Sequence, residues 1–340
     1  MSRQPGLFET SNPPKRRAPT AGDVSPASDS PLRGAPALPA EIRLGTSSWF
    51  FPGWRGLVYE GVHPQTTLSR KGLAAYAQIP LLRTVSLDRT FYAAISVMEY
   101  ARYANQVPDD FSFVVKAPAL VCDAVMRDEE GRGKVANPHF LDAAIAAREF
   151  VVPCLEGLGA KAGPLVFQVS PLPRALVDEA ATLIERLAAF FAALPPELGK
   201  HRPIYALELR NAELLTPRLM RMLGSAGVRY CVGLHDRMPE VERQEAALKA
   251  LDGEQPGDLV VRWNLHRGFL YQAAKQRYEP FDKLVDEDSE TRRILARMAN
   301  QAFKAGRRVW ITANNKAEGS APLSLLKLSE EIASQLARTN

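Results

Sequence analysis

The stretch "IYALELRN" (residues 204–211) starts as an apolar strand and ends with Glu208 and Arg210 two positions apart. Side chains alternate along a strand, so Tyr205, Leu207 and Leu209 share one face while Ile204, Ala206, Glu208 and Arg210 share the other. The first face suits packing beneath a helix. The second begins small and apolar and finishes charged, as expected of a strand whose C-terminal end opens onto a polar pocket. A buried ion pair that fixes register gives the same pattern, so the remaining strands must decide between the two readings.

Seven other short apolar runs recur from residue 42 onward: "IRLGTSSW" (42–49), "RTVSLDRTF" (83–91), "FSFVVKAP" (111–118), "PLVFQVSP" (164–171), "RYCVGLHD" (229–236), "DLVVRWNLH" (258–266) and "RRVWITANN" (307–315). Between them lie stretches of helical spacing and composition, among them Ala175–Leu194 and Ala321–Ala337. Thr216 followed by Pro217 reads as an N-cap with proline at the first helical position, and Gly306 closes a helix before the last strand. Strands alternating with helices imply parallel βαβ units. Eight such units predict an α/β protein with a single (β/α)8 TIM barrel over residues 41–340; an open doubly wound sheet is disfavoured because no Gly-rich dinucleotide fingerprint follows the first strand.

The division seen at 204–211 repeats along the chain. Thr84, Ser86, Asp88 and Thr90 oppose Val85 and Leu87; Ser112, Val114 and Lys116 oppose Phe111, Phe113 and Val115; Val166, Gln168 and Ser170 oppose Leu165, Phe167 and Val169; Val260, Arg262, Asn264 and His266 oppose Val261, Trp263 and Leu265. In a barrel the large apolar face meets the helices and the other face points to the axis. Polar groups then crowd the axis at the C-terminal strand ends, where barrel enzymes place their sites. The expected ring is Asp88, Lys116, Gln168, Glu208, Arg210, Asp236, Arg262, His266 and Asn314.

Composition bounds the rest. The chain has 340 residues, a net charge of +5 and a pI near 9.1. Its basic residues are scattered and largely matched by acids, which fits a solvated surface better than a nucleic-acid interface; the compact run Lys15–Arg17 lies in a Pro/Ser/Ala-rich stretch, residues 1–40, expected to be a disordered tail. Cys122, Cys154 and Cys231 show no disulfide or metal spacing and suit a reducing compartment. No secretory signal is visible in the first residues and no run reaches membrane-spanning length, so a cytoplasmic protein without membrane contact is expected.

The ordered motifs "GTSSWFFPGWRGLVY" (45–59), "TFY" (90–92), "FSFVVKAP", "LVFQVSP" (165–171), the Glu-x-Arg of "ALELRN" (206–211), Asp236, Arg262 and "NN" (314–315) resemble the YecE-like family, domain of unknown function 72, over about residues 42–337. The resemblance implies a TIM barrel and a site at its mouth, and no reaction. Three departures stand out. The family's Val-Glu-x-Asn becomes Val85, Ser86, Leu87 and Asp88, its "YFNN" becomes "TANN", and its "SGW" becomes "SSW".

Within the ring, Arg210, Arg262 and Lys116 are expected to hold an anionic group, because guanidinium forks grip carboxylates and phosphates bidentately. Lys116 can instead neutralise a carboxylate or form a Schiff base. Gln168 and Asn314 suit hydroxyls, and Glu208 with Asp236 suits general acid and base work if burial separates their pKa values. No metal is assigned, although Asp88, Glu208, Asp236 and His266 are donors of the right type. Trp49, with Phe50, Phe51 and Trp54, either roofs the pocket or packs between loops. The long segment 267–288 is expected to act as a lid. The reading is an enzyme (hydrolase, isomerase or lyase, cofactor unknown) acting on a small anionic or polyhydroxylated molecule, the alternative being a non-catalytic ligand- or nucleic-acid-binding barrel.

Overall fold

Eight parallel strands close on themselves in the computed structural model, which describes residues 23–127 and 133–338. In chain order the strands are β1 (Ile42–Thr46), β2 (Leu82–Leu87), β3 (Ser112–Lys116), the antiparallel pair β4 (Val125–Arg127) and β5 (Gly133–Ala136), β6 (Ala162–Gln168), β7 (Ile204–Glu208), β8 (Arg229–Leu234), β9 (Leu259–Trp263) and β10 (Val309–Ala313). The barrel runs β1-β10-β9-β8-β7-β6-β3-β2 and back to β1; β4 and β5 form a separate hairpin between β3 and β6. Every one of the eight sequence runs supplies one barrel strand. The hairpin is not among those runs, because "VMR" and "GKVA" are too short to show an alternating pattern.

The alternation rule holds. Val85, Phe113, Phe167, Leu207, Val261 and Ile311 belong to the large core between barrel and helices. The axis holds a separate small plug of Val114, Val166, Ala206, Cys231, Val260 and Trp310, closed below by the Trp310 indole donating to Ser112 Oγ at 3.1 Å. This plug floors the polar ring, since Lys116, Gln168, Glu208 and Arg262 each stand two residues further along the strand from Val114, Val166, Ala206 and Val260. The helix signals also hold. Thr216 Oγ1 accepts from Leu219 N to cap the helix Pro217–Ser225, a contact worth about 1 kcal/mol, and Gly306 takes φ +71° after the helix Ser289–Lys304. The helix expected over Ala175–Leu194 is divided at Glu179 (φ −95°, ψ 38°) into Arg174–Asp178 and Ala180–Ala193.

The expected tail needs a correction. Residues 1–22 lie outside the described residues, but residues 23–40 pack on the barrel rather than extending into solvent. Ala27 N donates to Val58 O and Glu60 N to Ser25 O, at 2.9 Å each, and Ser30 caps a short turn, Pro31–Gly34, that buries Leu32 completely. Backbone pairing with the loop after β1 does what side-chain area does elsewhere, which is why composition misjudged it. No helix among the described residues is long and apolar enough to cross a membrane.

Gly45 tests the closure. A Cβ there would stand 1.8 Å from the Thr84 carbonyl oxygen across the β1–β2 seam. Gly45→Ala is expected to lower the free energy of unfolding by about 2–3 kcal/mol through overpacking, read as a drop in the urea midpoint; an unchanged midpoint would show that this seam is not closed as described.

Candidate functional site

Glu208 ends β7 on the axis with no solvent exposure. Its Oε2 accepts from Arg262 Nη1 at 2.6 Å, and its Oε1 lies 2.7 Å from Arg210 Nη2. Arg262, projecting inward from β9, extends its other nitrogen to Asp88 Oδ2 at 2.7 Å. Gln168, at the end of β6, accepts from Arg210 Nη2 at 3.0 Å and from Arg262 Nη1 at 3.3 Å. Four strand ends are thereby tied across the barrel: those of β2, β6, β7 and β9.

Space for this cluster comes from β8, where Gly233 faces the carboxylate and a Cβ would stand 3.1 Å from Glu208 Oε1. Gln244 fixes that strand from outside, accepting from Gly233 N and donating to Gly233 O, both at 3.1 Å. Ser86 Oγ donates to Asp88 Oδ1 at 2.6 Å, so the serine braces the acid two residues further along the chain.

Opposing terms set the charges. Burial pushes the Glu208 carboxyl up, but Arg210 and Arg262 outweigh it and hold it below its ordinary value. Burial likewise works against Arg262, and Asp88 with Glu208 overcomes it, holding this guanidinium above its usual range. Arg210 is lowered, by burial first and by Arg262 next, against the pull of Glu208. A carboxylate enclosed by two guanidiniums and stabilised as the anion is poorly placed to exchange protons with a ligand.

Lys116, inward at the end of β3, is nearly buried, with Nζ 3.5 Å from the centroid of the Phe91 ring. Burial lowers its amine to about 8, Asp88 pulling the other way and Arg262 reinforcing burial. Asp236 is paired with the imidazole of His235, which burial and then Arg210 hold down at about 4, so the ring is neutral at neutral pH. His235, Asp236 and His266 line a cavity of about 310 Å³ together with Leu234, Trp263 and Leu265, and Lys116, Arg210 and Arg262 are not part of its wall. His266 Nδ1 lies 2.8 Å from Arg267 O, at the rim rather than within the charged cluster. Asn314 donates to Ser47 Oγ at 2.7 Å and accepts from Lys316 Nζ at 3.2 Å.

Trp49 is the second correction. It is buried, its indole donates to Leu68 O at 3.2 Å, and it packs edge-on against Tyr103, so it belongs to the helix ring and not to the pocket. Trp54 is likewise structural, donating to Asn315 Oδ1 at 3.1 Å. The donors considered for a metal are dispersed: Asp88 and Glu208 face Arg262, Asp236 faces His235, and among the described residues no group of three His, Cys, Asp or Glu is arranged to hold an ion.

The segment 267–288 is a packed cap rather than a free lid. Its helix Tyr271–Tyr278 buries Ala274 and Tyr278 with Phe281 and Leu265, and its end is tied to Glu318 through Val285 N and Asp288 N. Sequence reasoning missed Lys316, whose Nζ lies 4.1 Å from the Tyr271 ring centroid and whose amine burial lowers to about 8. It also missed Tyr92, 84% exposed, which shares the field of Asp88 with Tyr271. Lys316 directly follows the "NN" pair, the one signal that pointed there. A larger cavity of about 440 Å³ lies outside the barrel, where Arg229 is paired with Asp252 and Glu245 with Arg297.

A family described as protein of unknown function DUF72 matches residues 43–339. Among solved structures, the chain is similar to a DUF72 family protein from Thermotoga maritima, with 18% identity and a TM-score of 0.55 over 87% of this chain and 99% of that one. It is also similar to one from Enterococcus faecalis, with 18% identity and a TM-score of 0.51 over 86% and 95%. These likenesses show the fold. No curated protein matches the chain.

Two measurements follow from these electrostatics. Glu208→Gln leaves the buried Arg210 without its carboxylate and Arg262 with Asp88 alone, and is expected to cost about 3–5 kcal/mol of stability, read by urea unfolding; a loss below about 1 kcal/mol would make the cluster solvated rather than buried. Lys116 has the opposite sign. Its folded pKa of about 8 lies below its ordinary 10.5, so the protonated amine burdens the fold below pH 8 and the burden fades as pH rises toward 10.5. Lys116→Met is therefore expected to raise Tm at neutral pH, with the gain shrinking in alkaline buffer.

Proposed function

Since the chain belongs to the DUF72 family of proteins of unknown function, a membership that supplies no reaction, we propose its activity from the site: an enzyme that takes a small anionic or polyhydroxylated molecule at the C-terminal mouth of the barrel. One observation carries this reading. Three cations, Lys116, Arg210 and Arg262, converge on two carboxylates, Asp88 and Glu208, leaving a surplus positive charge, and both Arg210 Nη1 and Arg262 Nε lack a hydrogen-bond partner. Buried donors without acceptors are costly. An anionic ligand relieves that cost.

The roles follow from position. Arg210, Arg262 and Lys116 attract the anionic group, Gln168 and Asn314 meet hydroxyls, and Glu208 aligns the two arginines. Asp88, whose side chain is 34% exposed, is the carboxylate on the open side. Asp236, paired with the neutral His235 imidazole, is the acid/base carboxylate. Such a pairing of anion grip and proton transfer serves hydrolysis, isomerisation and lyase chemistry alike. The free, buried Cys122, Cys154 and Cys231 favour a reducing, cytoplasmic setting.

A nucleic-acid-binding role has less support, because many arginines are spent on local pairs, such as Arg308 with Asp258, Arg293 with Glu290 and Arg277 with Asp286. Phosphate contact would need them free.

Thermal unfolding with inorganic phosphate and ribose 5-phosphate, against ribose and chloride controls at matched ionic strength, tests the reading. Ligand at 100 times its Kd adds about 2.7 kcal/mol of stability, visible as a raised Tm for the phosphate-bearing compounds, and Arg210→Met is expected to remove the shift. No shift with either phosphate compound, or an unchanged shift in Arg210→Met, overturns it.

A further inference from the structure

Lys116 differs from the other cations of the ring. Arg210 and Arg262 each contact a carboxylate, whereas among the described residues no carboxylate oxygen lies within 4.0 Å of the Lys116 amine. The acids that could serve it are engaged: Glu208 by both arginines, Asp88 by Arg262 and by the Ser86 hydroxyl. What the amine has is the face of Phe91. A lysine retained to neutralise an acid would be placed against one. Burial and the two neighbouring guanidiniums move such a lysine toward the neutral, nucleophilic amine, against the pull of the ring face and of Asp88 on its protonated form.

Resting on the reading that this mouth binds a small anion, we propose that Lys116 forms an imine with the carbonyl carbon of a small anionic aldehyde or ketone whose acidic group is held by Arg210 and Arg262. The Nζ lone pair attacks the carbonyl carbon, and the C=O π electrons move to oxygen, which takes up a proton. The resulting carbinolamine loses its oxygen as water while nitrogen gives up its protons, so amine and carbonyl become imine and one water with no change of oxidation state. The proton passes between nitrogen and oxygen through solvent on the open side, since Asp88 is held by Arg262 and Ser86. An imine withdraws electrons from the adjacent carbon, which narrows the chemistry of the site to carbon–carbon cleavage or isomerisation next to a carbonyl.

The charged and titratable groups around the amine are Asp88 after β2, Cys122 on the helix Ala119–Cys122, Glu208 and Arg210 from β7, and Arg262 from β9. Burial dominates them and brings the amine to about 8, so half of it is nucleophilic near that pH.

The test is borohydride trapping on the full chain with pyruvate, dihydroxyacetone phosphate and pyridoxal 5′-phosphate as separate probes, followed by intact mass and peptide mapping. The expected result is one reduced adduct per chain on the Lys116 peptide, half-maximal near pH 8, suppressed by excess inorganic phosphate and reduced at least about tenfold in Lys116→Arg, which keeps the charge and lacks the nucleophile. An adduct confined to Lys316, which burial also lowers but which hydrogen-bonds Asn314, or spread over exposed lysines such as Lys249 and Lys327, overturns the inference. So does the absence of an adduct with all three probes. If phosphate still raises Tm in that case, only the imine falls; if it does not, the anion-binding reading falls with it. Should Lys116→Arg fail to fold, the peptide map and pH profile of the unaltered protein decide alone.

Discussion

Burying the Glu208 carboxylate between Arg210 and Arg262 imposes the constraint from which the rest of the barrel mouth follows. Charges taken out of water are tolerated only when the pairing is close and well oriented, and here one carboxylate meets two guanidiniums at 2.6 and 2.7 Å. Because the partners come from β7 and β9, with Asp88 after β2 and Gln168 on β6, the pairing also fixes four strands relative to one another. A slip of one residue in any of them would turn its charge toward the helices and an apolar side chain toward the axis. Gly233 belongs to the same constraint, since a side chain on β8 would crowd the carboxylate.

Above this fixed layer the balance is less complete. Lys116 and Lys316 are both driven toward neutrality by burial, and Arg210 Nη1, Arg262 Nε and the side-chain amide of Asn264 have no partner. A chain selected only for stability would have replaced these groups with apolar ones of similar size. Their concentration at the C-terminal strand ends, over an apolar plug that seals the other direction, is the arrangement on which the proposed anion site rests.

The loops hold this arrangement from outside. Phe51 packs against Phe281 and Trp54, joining the first βα loop to the segment that follows β9. Asn315 receives the Trp54 indole and the Ala321 backbone, so the "NN" pair divides its work: Asn315 builds the frame while Asn314 faces the rim. Residues 23–40 brace the same first loop through backbone bonds to Val58 and Glu60.

The eight-strand barrel and the side of each strand that faces the axis were legible in the sequence, because strand alternation has a period of two and the outward face must be large and apolar wherever it meets helices. That local rule placed Lys116, Gln168, Glu208, Arg210 and Arg262 on the axis from "FSFVVKAP", "LVFQVSP", "ALELRN" and "DLVVRWNLH" alone. It could not say which residues touch. Only the closed structure decided that Arg262 spans Asp88 and Glu208, that Lys116 has a ring instead of a carboxylate, that Trp49 serves the helix ring, and that Lys316 joins the rim. Those outcomes depend on distances between segments up to 174 residues apart in the chain, set by strand stagger, loop packing and the competition of several cations for a few acids. Facing is a property of one strand; partnership is a property of the whole barrel.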